Sequence, residues 1–313
     1  MDAIGAGIAA IGNTPLVRLK RVVPEGAAEV WVKLEGGNPT GSYKDRMAIS
    51  VVSAALERGD VSPGETVVEF TGGSTGTALA FVCGVLGLRF TAIFSDAFAN
   101  SKQQAMEAFG ATVLVEKSVD GAITHELAER MKSRAYAIAE QPGHHYADQF
   151  GSPDVRKGYQ PMGREIAKTL DGHIDVFCAA VGTGGALMGS LDGMQELGAE
   201  PKVVALEPSQ SPLLTTGQSG AHNVEGIAVF PDPPFLDRSH MSEVRTVDQE
   251  RAFEMCRKLA REEGVFGGGS TGLNVCGAIE LAMELGPAKR VVTFGCDNGV
   301  KYLGGPIYKP SMN

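Results

Sequence analysis

Short apolar runs alternate with helix-length segments along the whole chain, and that alternation leaves few folds open. The runs are Glu29–Leu34, Thr66–Phe70, Phe90–Phe94, Thr112–Val115, Asp175–Ala180, Lys202–Leu206 and Arg290–Phe294. They are short and rich in β-branched and aromatic residues, which predicts buried strands. Between them lie helix candidates at Asp45–Glu57, Thr75–Leu86, Ser101–Phe109, Gly121–Ala135, Gly158–Thr169, Gly185–Leu197, Asp248–Glu263 and Leu273–Leu285. The pattern predicts an α/β fold of mostly parallel sheets flanked by helices. A length of 313 residues suits one large unit or two lobes, with the Gly-Ser-Pro-Asp stretch at 151–154 as the candidate hinge. Pro231 to Pro234 reads as a rigid loop in the second half.

Composition removes several classes. Hydrophobic residues make up 43% and charged residues 21%, so global disorder is excluded. A net charge of −9, spread without long blocks, argues against a nucleic-acid or anionic-lipid surface. Cys83, Cys178, Cys256, Cys276 and Cys296 form no C-x-x-C pair and sit in apolar stretches. They read as buried thiols of a reducing compartment, and the expected location is cytoplasmic. Asp2 and the lack of a basic segment give no signal peptide. Thr71 to Leu88 carries no charge, but its glycines and hydroxyls predict a buried helix behind a loop, not a bilayer span. No metal is expected: His144, His145 and Asp148 lack a fourth ligand at a suitable spacing.

Glycine is about twice as frequent as usual, with 41 among 313 residues. Much of the excess falls in Thr71-Gly-Gly-Ser-Thr-Gly76, Gly182-Thr-Gly-Gly-Ala186 and Gly267-Gly-Gly-Ser-Thr-Gly272, each of which opens a predicted helix. Helix N-termini offer free N–H groups and a positive dipole end, so such loops suit a ligand with more than one anionic group. Plain tight turns with Ser or Thr caps are the alternative. Gly72-x-Ser74-x-Gly76 also fits a hydrolase nucleophile elbow, with histidines after it in the chain. Gly268-x-Ser270-x-Gly272 fits the same pattern, but the last histidine is His240. A dinucleotide fingerprint at Gly182-x-Gly184 breaks at Leu187, where its third glycine would stand.

The most informative segment is Lys33-Leu-Glu-Gly-Gly-Asn-Pro-Thr-Gly-Ser-Tyr-Lys44-Asp-Arg46. Together with Ile11-Gly-Asn-Thr-Pro-Leu-Val-Arg-Leu19, the three glycine loops, Gln149-Phe150, Glu262-Glu263 and Asp297-Asn-Gly-Val-Lys-Tyr302, it resembles the fold-type II pyridoxal-phosphate (PLP) enzymes. Within them it resembles cysteine synthase (O-acetylserine sulfhydrylase) and the core of cystathionine β-synthase, over nearly the full length. The resemblance implies a two-lobed, tryptophan synthase β-like fold. A large PLP-binding lobe would combine 1–41 with 151–313, and a smaller substrate-closing lobe would span 42–150, with PLP between them. It also implies a homodimer acting on a small-molecule amino acid.

It implies roles residue by residue. Lys44 would form the Schiff base with PLP and then take the Cα proton. Gly182, Thr183, Gly184, Gly185 and Ala186 would hold the cofactor phosphate. Ser270, with Thr271 adjacent, would bond the pyridine nitrogen and leave it largely uncharged. Thr71, Gly72, Gly73, Ser74, Thr75 and Gln149 would grip the substrate carboxylate, and Ser74 would also face the cofactor's ring hydroxyl. The implied reaction is β-replacement on an activated serine, O-acetylserine or similar, through an aminoacrylate, with sulfide or another small nucleophile. The alternatives are β-elimination of the cysteine desulfhydrase or serine/threonine dehydratase type, a non-catalytic member, and a serine hydrolase built on Ser74. This sequence departs from the family loop Thr-Ser-Gly-Asn-Thr-Gly at Gly72 and Ser74. It also has Ala186 where the phosphate loop usually ends in Thr, and Tyr43 where cysteine synthases more often have Val. Neither a tandem regulatory domain nor a Cys-Pro-Cys haem site is expected.

Overall fold

The computed structural model describes residues 5–121, 124–227 and 232–309. In chain order the elements are α1 (Ala6–Ala9), β1 (Leu16–Arg18), β2 (Glu29–Leu34), α2 (Lys44–Arg58), β3 (Thr66–Phe70), α3 (Ser74–Val85), β4 (Arg89–Ser95), α4 (Asn100–Ala108), β5 (Thr112–Glu116), α5 (His125–Ala139) and β6 (His144–Tyr146). They continue as α6 (Asp154–Thr169), β7 (Val176–Ala180), α7 (Gly185–Gln195), β8 (Lys202–Pro208), α8 (Leu213–Thr216), β9 (Met241–Val247), α9 (Gln249–Lys258), α10 (Gly269–Leu285) and β10 (Arg290–Gly295). The chain forms two compact units, residues 1–11 with 38–158 and residues 12–37 with 159–313. The expected lobe boundaries stand at 41/42 and 150/151; the units part at 11/12, 37/38 and 158/159, the last inside α6, so residues 5–11, expected in the large lobe, fall in the first unit. Ala122, Ile123 and Pro231, which belong to the expected helix and the proline loop, lie outside the described residues.

The first unit is built on a sheet ordered β5-β4-β3-β6, parallel throughout. Every residue of β3 is buried, which suits a central parallel strand covered on both faces. Thr75 to Cys83 of α3 are all buried, so this uncharged helix is apolar because it is an interior element. Among the described residues no helix is long and apolar enough to cross a membrane. By contrast α5 is amphipathic, and its start is fixed by Thr124, whose hydroxyl accepts the Leu127 N–H at 3.2 Å.

The second unit holds a sheet ordered β1-β2-β10-β7-β8-β9. All its pairings are parallel except β1 with β2. Its core joins Val30, Val32, Val176, Val204 and Val291 of the strands to Phe253, Leu273 and Ile279 of α9 and α10. α9 is capped by Asp248, whose carboxylate accepts the N–H groups of Glu250 and Arg251 at 3.0 Å. The helix expected from Leu273 begins four residues earlier, at Gly269. The reason is packing: a Cβ at Gly272 would lie 2.0 Å from the Ala252 carbonyl, and one at Gly269 would lie 2.9 Å from the Phe253 ring. Glycine lets α10 approach α9, and that burial outweighs its low helix propensity. The five cysteines are free and buried.

Candidate active site

In the first unit Lys44 is the first residue of α2, and a polar staple fixes its position. Asp45, fully buried, accepts the Thr40 N–H at 2.8 Å and also the Thr40 hydroxyl. This closes the loop 38–43 onto the helix start. The Lys44 N–H donates to the Ser42 hydroxyl at 3.2 Å. Its Nζ lies 4.8 Å from the centroid of the Tyr43 ring, within cation–π range.

The Thr71–Thr75 loop leaves the end of β3 and runs into α3. The Thr71 N–H extends the ladder to the Ile93 carbonyl at 2.9 Å. Its hydroxyl turns inward and accepts the N–H groups of Gly73 at 3.0 Å and Gly76 at 3.1 Å. Gly73 has φ 145°, and a Cβ there would lie 2.4 Å from the Lys102 side chain, so both backbone and space require glycine. Ser74 opens α3. The Thr75 hydroxyl donates to Gln149 Oε1 at 2.8 Å, and Gln149 Nε2 donates to the Phe70 carbonyl at 3.0 Å. The first unit thus brings Gln149 to the loop, across 74 residues of sequence.

In the second unit, Gly182–Ala186 links β7 to α7. Gly184 caps the helix with φ 85°, and Gly185 N–H bonds the Thr183 hydroxyl at 3.3 Å. A Cβ at Gly182 would lie 2.5 Å from the Gly226 carbonyl, and one at Gly184 would lie 2.6 Å from the Leu236 nitrogen. Ser270 sits in the first turn of α10 and is 8% exposed. The adjacent Thr271 is fully buried, and its hydroxyl accepts the Cys296 N–H at 3.1 Å. Thr271 is therefore committed to the backbone just beyond β10, which leaves Ser270 as the hydroxyl nearer the surface.

One organising residue escapes sequence reasoning. Asn274 Oδ1 accepts the Ala180 N–H at 2.7 Å, and its Nδ2 donates to the Phe294 carbonyl at 3.0 Å. It ties the ends of β7 and β10 to α10, and so holds Gly182–Ala186 and Ser270 in one frame. Asn274→Leu would leave a buried donor and a buried acceptor without partners. A loss of roughly 2–4 kcal/mol in unfolding free energy is expected, read by denaturant unfolding of the holoenzyme.

His144 and His145 form β6 beside β3, and the ring Nδ1 of His144 is 3.1 Å from the Pro142 carbonyl. Burial holds the His145 imidazole below its usual range. Among the described residues no group of three acidic, histidine or cysteine side chains is placed to hold a metal.

Residues 8–297 match the family described as pyridoxal-phosphate-dependent enzymes. This chain belongs to that family. It is 35% identical over 303 residues to a cysteine synthase of Staphylococcus aureus, covering 95% of each chain. Its structure is similar to that of an O-ureido-L-serine synthase, with a TM-score of 0.90 and 34% identity over 98% of this chain and 95% of the other. It is also similar to a hydrogen sulfide-producing enzyme from Fusobacterium nucleatum, with a TM-score of 0.87 and 30% identity over 95% of this chain and 99% of that one. The protein is a PLP-dependent enzyme of the cysteine synthase type with the fold-type II architecture. That assignment displaces the hydrolase reading of Ser74.

The residues present suit PLP. The start of α7 presents N–H groups that no helical turn can satisfy, which matches a phosphate. The approach of Gly226 and Leu236 leaves no room for a side chain at Gly182 or Gly184. A primary amine at a helix start suits an aldehyde, and a hydroxyl at Ser270 suits a pyridine nitrogen.

Proposed function

We propose that this enzyme replaces the β-substituent of an activated serine, O-acetylserine by preference, with sulfide or a similar small nucleophile. The observation that carries the proposal is the near-full-length likeness to cysteine synthase, combined with Lys44 held at the head of α2 by the Asp45–Thr40 staple. When bound, PLP supplies an electron sink for the Cα–H bond. Lys44 Nζ would hold the cofactor aldehyde and would receive the proton from Cα. Acetate would leave with the Cβ–O electron pair, sulfide would supply the new sulfur–Cβ bond, and Lys44 would return its proton to Cα. Gly182, Thr183, Gly184, Gly185 and Ala186 would hold the phosphate at the α7 N-terminus. Ser270 would bond the pyridine nitrogen as a neutral partner, which keeps the sink modest and favours loss of the β-group. Thr71–Thr75 and Gln149 would take the carboxylate, with Ser74 also facing the ring hydroxyl of the cofactor.

β-Elimination is the second reading, supported by the hydrogen sulfide-producing neighbour. The two separate by product. Holoenzyme given O-acetylserine and sulfide is expected to release cysteine as its main product, detected by amino-acid analysis. Pyruvate and ammonia at equal or greater rates, with or without sulfide, would favour elimination. A homodimer acting in the cytoplasm belongs to the same reading, supported by the family likeness and by five buried free thiols. A monomer mass in sedimentation would count against the dimer.

A further inference from the structure

Glu69 is an acidic residue where the sequence of β3 asks for an apolar one. Its strand neighbours are Val67, Val68 and Phe70, and it is 0% exposed. A buried carboxylate is costly unless its oxygens are satisfied. Here they are. One oxygen accepts the Phe70 N–H at 2.9 Å and the other accepts the Gln149 N–H at 2.9 Å. The Tyr146 hydroxyl donates to the same carboxylate.

These bonds fall where the sheet ends. The Ala147 N–H still bonds the Val68 carbonyl, at 3.0 Å. Asp148 then turns the chain away with φ 54°, and Glu69 catches the next amide, that of Gln149. With its backbone held, Gln149 reaches the Phe70 carbonyl on one side and the Thr75 hydroxyl on the other. A continuous chain of bonds therefore runs from Glu69 through Gln149 to the first turn of α3. Valine or leucine would fill the same space but accept nothing.

We propose that Glu69 is a positioning residue that fixes Gln149, and through it the Thr71–Thr75 loop, for binding of the substrate carboxylate. The proposal rests on the reading of that loop given under the proposed function. Glu69 itself touches neither substrate nor cofactor.

The titratable groups facing Glu69 are Tyr146, at the end of β6, and Asp148 just beyond it. On the other side β4 places Ala92 opposite, which brings no charge. Burial, with the negative charge of Asp148, pushes the Glu69 carboxyl up to about 8. The ionised form accepts from all its donors; the protonated form must itself donate and gives up an acceptor site. Substrate binding should therefore tighten as pH rises through about 8, and the bond donated by Tyr146 favours the ionised form.

The test compares KM and kcat of wild-type, E69Q and Q149A holoenzymes for O-acetylserine between pH 7 and pH 9. Glutamine keeps the volume but turns an NH2 toward one of the two backbone N–H groups. The expected result for E69Q is a KM raised about tenfold at pH 9, where the wild-type carboxyl is ionised, and little changed at pH 7, the difference being the size of one lost hydrogen bond, with kcat within about twofold. The fall of KM expected across pH 8 in wild type should shrink in E69Q to the part that the substrate's own amine contributes. Wild-type KM in E69Q alongside a raised KM in Q149A would overturn the role of Glu69 and leave the carboxylate reading standing. Wild-type KM in Q149A would overturn that reading, and the proposal with it. If E69Q fails to fold, Y146F removes one donor to the same carboxylate, and the KM inflection should move to higher pH. An unmoved or missing inflection would overturn the proposal.

Discussion

Alanine at Lys44 should lower turnover of O-acetylserine by at least about a thousandfold, because one residue is asked both to hold the cofactor and to move the Cα proton. Proton transfer by a positioned side chain alone contributes ~10²–10⁴-fold, and loss of the covalent anchor adds to it. The fold should survive. Lys44 is only partly buried, alanine is the best helix former, and the staple that shapes this turn belongs to Asp45 and Thr40 rather than to the lysine side chain. Circular dichroism and thermal unfolding should therefore match wild type. A folded K44A enzyme that turns over at the wild-type rate would contradict the assignment of Lys44.

The second large effect concerns helix packing. Gly163 of α6 and Gly193 of α7 lie where these helices cross. A Cβ at Gly163 would stand 1.9 Å from the Ser190 carbonyl, and one at Gly193 would stand 2.0 Å from the Gln160 carbonyl. Both obstacles are backbone, which cannot rotate away. G193A should therefore force the helices apart and cost about 3 kcal/mol, at the upper end for one inserted methyl group. For a unit of this size that is on the order of a 6–12 °C fall in Tm. Because α7 begins at Gly182–Ala186, the loop proposed to hold the phosphate, the displaced helix should also weaken PLP retention during dialysis. Scanning calorimetry of the holoenzyme and a cofactor titration check both effects; an unchanged Tm would show that the crossing is looser than described.

Much of this architecture could be read from the sequence because its strands are short, apolar and separated by helix-length segments. β2 and β3 fall on the residues expected. The missing strands are those whose pairing comes from tertiary context. β1 and β6 have three residues each, and β6 is His-His-Tyr, which carries no β-branched side chain. β9 is half exposed with no clean alternation, as suits an edge strand. The glycine loops were legible because close backbone approach needs glycine whatever the partner. Glu69 and Asn274 were not. An acid in a strand and an amide in a helix give no local signal when their partners lie 80 and 94 residues away. Gln149 was recognised only through the family resemblance, and its link to Thr75 is visible only in three dimensions.

The assignment of PLP to Lys44, with β-chemistry on O-acetylserine, makes a visible signal. The most direct measurement is the visible absorption spectrum of the purified enzyme with PLP, followed as O-acetylserine and then sulfide are added. The expected result is a yellow protein whose band shifts with O-acetylserine and returns with sulfide as cysteine forms, and a K44A enzyme that shows no such cycle. A protein that stays colourless with added PLP, or a band that O-acetylserine shifts equally in K44A, would contradict it.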